Sequence, residues 1–303
     1  MEIIFCIYQY KEEFRYICKL KIQNILMKKI FFILSLSLMM SSLQAQTMRI
    51  GLTGGVNLTS LTCSNLSNMG DNLNSVTTFS PTIGGSCLFK TSPELGWSLG
   101  LMYSAQNQKY SGTQAQTTFP YSTSTETFNS ETKISYIDVP ILFRYYTPIA
   151  VYVELGPQVS MLVGGSEDRS WSPASAVYPN QKGVDFKTDF NGFNCEAILG
   201  LGYTRRLMNL VYLDIGLRAG YGLIDVTNQE LKSDWQNSTA GYVQHSVTST
   251  VANFDKFDFT SGNSSFKYSS TNRFYVGMLV TICFMMDNPL ATDTNGSRSG
   301  AGF

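Results

Sequence analysis

The chain has 303 residues, 22 basic and 22 acidic, with 43% hydrophobic and 15% charged residues. Residues 1–45 hold six of the basic and three of the acidic residues, leaving 16 and 19 and a net charge of about −3 on the remainder. That near-neutral balance excludes the basic patch that nucleic-acid binding requires.

Residues 1–26, which include Cys6 and Cys18, stand ahead of a second start and read as an extension from an overlong reading frame. Residues 27–45 read as an export signal. Met27-Lys28-Lys29 is positive, Ile30 to Met40 is apolar, and Ser41-Ser42-Leu43-Gln44-Ala45 is a small-residue exit, with cleavage expected after Ala45. The apolar stretch falls well short of the roughly 20 residues that a transmembrane helix needs. Residues 46–286 then form the main body, and 287–303 read as a flexible tail.

Eight strand-like runs follow, each apolar at every second residue. The apolar faces begin with Met48, Ile50, Leu52 and Val56, then Ile83 to Phe89, then Trp97 to Ala105, then Ile137 to Tyr145. They continue with Val151 to Val163, Cys195 to Tyr203, Val211 to Tyr221 and Phe274 to Phe284. The alternate positions are ionic, polar or glycine: Arg49, Gly51, Thr53 and Gly55 on the first run, Tyr212, Asp214, Gly216 and Arg218 on the seventh. A greasy exterior and a polar interior are the reverse of a lipocalin-like cup and the signature of a membrane barrel. A bilayer admits only helices or closed sheets, so the runs must close. The fold class expected is all-β, an eight-stranded antiparallel up-and-down transmembrane β-barrel with short periplasmic turns and long extracellular loops.

Short links at Thr91–Leu95, Thr147–Ile149 and Arg206–Asn209 alternate with long ones at 59–78, 111–131, 165–192 and 226–270. An even strand number puts both termini in the periplasm. The longest link would be partly absorbed by a hairpin, for instance Tyr242–Val251 with Phe254–Phe259. Four cysteines remain after the signal, Cys63, Cys87, Cys195 and Cys283; their spacing specifies no disulfide or metal site, and they are expected to be unpaired.

Two segments carry a resemblance. Tyr136-Ile137-Asp138-Val139-Pro140-Ile141-Leu142 with Arg144-Tyr145-Tyr146, and Tyr152-Val153-Glu154-Leu155-Gly156-Pro157, resemble the PorT-like outer-membrane β-barrel family of Bacteroidetes; Gly51 to Asn57 is similar too. The resemblance covers residues 47–286 and implies architecture rather than activity, with protein secretion as the one process it suggests.

Three groups are candidates for chemistry. The inward charges Arg49, Asp138, Arg144, Glu154, Glu196, Asp214 and Arg218 read as a lumen network of ion pairs, with Asp138, Glu154 and Arg218 central, or alternatively as a path for small solutes or ions. His245 is the single histidine and lies in the longest loop near Ser246, Asp234 and Asp255, which assembles no catalytic triad, so no catalytic residue is assigned. Phe119, Tyr121, Trp171, Tyr178 and Trp235 lie in polar loops, as binding anchors or as pins that pack the loops. No glycine-rich phosphate loop runs from a strand into a helix, and no cofactor or metal is expected.

The sequence thus reads as a monomeric, non-enzymatic outer-membrane barrel with a structural or surface-interaction role. A small-solute porin and a secretion-system component are the alternatives. Expected partners are outer-membrane lipid, the barrel-assembly machinery during biogenesis, and an extracellular ligand or protein met through the loops.

Overall fold

The structure is a computed structural model that describes residues 47–118, 122–172, 180–231, 245–257 and 264–286. Eight long strands carry it: β1 (Thr47–Cys63), β2 (Thr78–Lys90), β3 (Leu95–Thr118), β4 (Ser122–Tyr146), β5 (Val151–Ser172), β6 (Phe193–Arg206), β7 (Val211–Gly222) and β8 (Thr271–Met286). Each pairs antiparallel with its neighbour in sequence, and β1 also pairs with β8, Gly51 facing Cys283, so the ring closes. Closure leaves no unpaired edge toward lipid.

Alternation sorts the side chains as the sequence reading has them. Leu52, Phe79, Ile83, Leu101, Leu155 and Leu217 are exposed on the outside, while Arg49, Thr53, Asn57, Asp138, Glu154 and Asp214 are buried within. The three links 91–94, 147–150 and 207–210 lie at one end, together with the start of β1 and the end of β8. Trp97 and Phe143 meet edge to face near that end, with centroids 5.3 Å apart.

The opposite end departs from the sequence reading. The expected loop 111–131 is mostly strand, because β3 runs on to Thr118 and β4 begins at Ser122, with pairs from Lys109↔Glu131 to Thr118↔Ser122. The Thr- and Ser-rich composition suits an extended hairpin as well as a loop. Cys63 closes β1 instead of lying in a loop, and all four cysteines are free. Of the strand expected over Tyr242–Val251, residues 242–244 lie outside the described residues, and from Val247 the chain forms a helix instead, α1 (Val247–Asn253), every residue of which is buried. Its β-branched residues favour a strand in isolation, but an interior site offers no sheet edge. A helix satisfies its own amides, and Ser246 starts it by accepting from the Ser249 N–H at 3.0 Å. Short strands Phe254–Phe257 and Ser264–Phe266 pair with each other beyond it.

A bulge decides what fills this end. Along β4 and β5, Ser135 faces Gly164 but Tyr136 faces Leu162, so Val163 is an extra residue on β5. One extra residue reverses the alternation. Before the bulge even-numbered residues of β5 point inward (Glu154, Gln158, Ser160); after it Glu167, Arg169 and Trp171 do.

Candidate functional site

The lumen is stacked in tiers. Nearest the short links, Glu154 accepts from Arg144 Nε at 2.8 Å through one oxygen and from Arg218 Nε at 2.8 Å through the other. Arg144 also donates to Asp214 at 2.9 Å and lies over the Tyr152 ring. Glycines make room for this tier. A Cβ on Gly200 would stand 2.6 Å from Glu154 Cγ, and one on Gly202 would stand 2.3 Å from the Tyr152 ring.

The next inward residues, Leu142, Ile198 and Tyr275, form a thin apolar layer. Above it, Arg273 is 1% exposed and surrounded. It donates to Glu196 at 2.7 Å, to both oxygens of Asp138, to Ser104 at 2.9 Å and to Gln106 at 3.0 Å. Ser104 makes a short hydrogen bond to Asp138, and Gln158 donates to Glu196 at 2.9 Å. Within these two tiers three arginines, Arg144, Arg218 and Arg273, share four carboxylates, Glu154, Asp214, Asp138 and Glu196. Pairing on this scale offsets desolvation that would cost several kcal/mol per isolated ion. A cavity of about 20 Å³ beside Arg144 and Arg218 has room for about one water.

Farther out the interior turns apolar around Leu61, Ile134, Tyr136, Phe186, Phe190 and Val226, and then around Tyr110, Phe128, Trp171, Val247 and Val251. Buried Glu167 sits in this outer filling, accepting from Ser130 at 2.8 Å, Thr132 at 3.0 Å, Arg169, and the Val247 N–H of α1 at 3.0 Å. Asp189 accepts from the Ser246 N–H at 2.6 Å and lies 3.3 Å from His245 Nδ1. Two carboxylates thus hold the start of the helix, where its first amides need acceptors.

All seven expected lumen charges point inward, but they do not make one network. Asp138 and Glu196 belong with Arg273, in a tier separate from Glu154 and Arg218, because the apolar layer intervenes. Arg49 joins neither tier; its guanidinium lies 3.5 Å from the Tyr212 ring centroid. Arg273 is not among the seven charges expected in the lumen, although the alternation of β8 carried one residue back from Phe274 points it inward. Glu167 and Arg169 were hidden by the bulge. Trp171 is a packing pin, 6% exposed with its ring centroid 4.6 Å from that of Phe128, so it offers no surface for binding. Phe119, Tyr121, Tyr178 and Trp235 lie outside the described residues. Ser246 Oγ is committed to capping α1. Among the described residues no group of three or more His, Cys, Asp and Glu is arranged to hold a metal ion.

A closed antiparallel ring, apolar outside and ionic within, defines a transmembrane β-barrel. The chain belongs to the outer membrane protein beta-barrel domain family, which it matches over residues 44–228, and it is accordingly a protein of the Gram-negative outer membrane. No curated protein matches the sequence. Among solved structures it is similar to Neisserial surface protein A, at 12% identity and a TM-score of 0.33, over 77% of this chain and 96% of that one. OprG from Pseudomonas aeruginosa is similar at 8% identity and a TM-score of 0.35, over 80% and 98%. Ail of Yersinia pestis, in complex with the heparin analogue sucrose octasulfate, is similar at 6% identity and a TM-score of 0.30, over 78% and 99%.

Proposed function

We propose that the protein is a non-enzymatic, non-conducting surface barrel that works through its outer end, with the short links and both strand termini in the periplasm. The observation that carries this is the double closure of the lumen: the Arg273–Asp138–Glu196 tier fills its middle, and α1 fills its outer mouth. A solute path needs continuous polar space, which the apolar layers around Leu142 and Ile134 interrupt. What remains for function is the outer rim, where β3 and β4 project as a hairpin and strand Gln181–Asp185 adds to β5. Its partner is an extracellular ligand or protein.

The test is single-channel recording of the purified barrel in planar bilayers. Silence is expected, and regular conductance steps from the wild type that grow on Arg273 substitution would return the protein to the porins.

The narrower PorT-like assignment is supported by its own residues. Asp138 and Glu154 of the two motifs hold the two tiers, and a Cβ at Gly156 would stand 2.2 Å from the Ile141 carbonyl oxygen, so the motif glycine permits close strand approach. A role in secretion rests on that likeness and predicts that tagged protein co-purifies with a stable periplasmic or membrane complex.

A further inference from the structure

The buried cations of the lumen have carboxylate partners except at one end. Arg49 on β1 is 7% exposed, and its Nε and Nη1 are buried with no hydrogen bond. Lys90 faces Thr47, and Leu88 faces Arg49, so the two cations are diagonal neighbours across β1 and β2 and stand roughly 7 Å apart at their Cβ atoms. The Lys90 ammonium lies 4.2 Å from the Tyr146 ring centroid. Among the described residues neither cation has a carboxylate within 4.0 Å. Of the two carboxylates in this half of the lumen, Glu154 is engaged through both oxygens by Arg144 and Arg218, while Asp214 gives Oδ2 to Arg144 and keeps Oδ1 buried without a hydrogen bond, more than 4.0 Å from either cation. Four inward cations therefore share two anions here.

A buried guanidinium with idle donors is costly, more so beside a second cation. An anion reaching the pair from the short-link end would remove both costs. We propose that the short-link mouth of the barrel is an oxyanion site for phosphate, with the Arg49 guanidinium and the Lys90 ammonium as ligands and the Tyr212 and Tyr146 rings holding them in place. The phosphate is either free or the headgroup of an inner-leaflet phospholipid. The site rests on the reading above only in placing this end in the periplasm; phosphate binding and bilayer conductance are measured independently, so either can fail without the other.

The test uses the full chain in a phosphorus-free maltoside detergent. Inorganic phosphate is titrated while the melting temperature and the phosphorus-31 NMR linewidth are followed. A second arm compares nanodiscs of phosphatidylglycerol with the detergent alone. The expected result is a phosphate-dependent rise in melting temperature that is absent in Arg49→Gln and weakened about tenfold in Lys90→Gln. If free phosphate is silent and only phosphatidylglycerol stabilises, with that gain lost in Lys90→Gln, the site stands and its ligand is the headgroup. No response in either arm overturns the site, as does an equal response in wild type and Lys90→Gln. The latter variant, at the end of β2, decides the matter if Arg49→Gln does not fold.

Discussion

The Glu154 side chain occupies the space that a side chain on Gly200 would need, its Cγ only 2.6 Å from the Cβ position there. Glu154 cannot retreat, because each of its oxygens is held by a different arginine. Gly200→Ala should therefore disturb the tier and lower stability by about 1–3 kcal/mol, the usual cost of overpacking. Gly54→Ala is the control, since a Cβ there meets nothing within 4 Å. Urea unfolding midpoints in lipid vesicles should separate the two, and equal midpoints would show that the tier yields freely.

The Arg273 tier should show the asymmetry of a buried ion cluster. Arg273→Met leaves Asp138 and Glu196 facing each other without their shared cation, at a cost of about 3–5 kcal/mol. Adding Asp138→Asn and Glu196→Gln removes the uncompensated charge and should recover most of that loss. The heated-versus-unheated gel shift and vesicle unfolding report both variants. If the triple variant is weaker than Arg273→Met, the three residues do not act as one unit.

Much of this was legible in the sequence for one reason: alternation fixes a side for every residue of a paired strand. That places Arg49, Asp138, Arg144, Glu154, Glu196, Asp214 and Arg218 inside without reference to coordinates. Alternation does not fix height along the barrel axis, which depends on register between strands. So Asp138 and Glu154 read as one network although Leu142 and Ile198 lie between their tiers. It also fails beyond a bulge. The extra residue at Val163 reverses β5, and Glu167, Arg169 and Trp171 become interior groups that the pattern of Val151 to Val163 cannot foretell. Helix α1 was the hardest element to foresee, because Val247, Thr248, Thr250 and Val251 have strand propensity and only the enclosed site selects a helix.

Helix α1 and the Arg273 tier close the barrel independently, so neither change alone should open it. Val251→Asp places a charge in the apolar cluster with Phe128 and Trp171, which should expel the helix and expose the chain around it to protease added to whole cells. Conductance should stay at baseline, because the tiers beneath remain paired. Only Val251→Asp combined with disruption of both ionic tiers should give current. Steps from Val251→Asp alone would mean that the ionic tiers do not seal the lumen.

The outer cap should also loosen in alkali through one phenol. Tyr268 donates to Asp225, which in addition accepts from the Thr271 N–H at 3.0 Å and the Thr227 N–H at 2.9 Å, so the pair ties the loop before β8 to the end of β7. Burial first, and then the bond to the carboxylate, push the Tyr268 hydroxyl above its ordinary value. A phenol raised on folding binds its proton more tightly in the native state. Its contribution is thus complete below the unfolded value of roughly 10 and declines as pH rises from there toward the folded value. Melting curves of wild type and Tyr268→Phe between about pH 9 and pH 11.5 should differ in slope, wild type losing stability faster on the alkaline side while the phenylalanine variant starts lower and stays flatter. Parallel curves would mean that the Tyr268–Asp225 contact adds nothing to the cap.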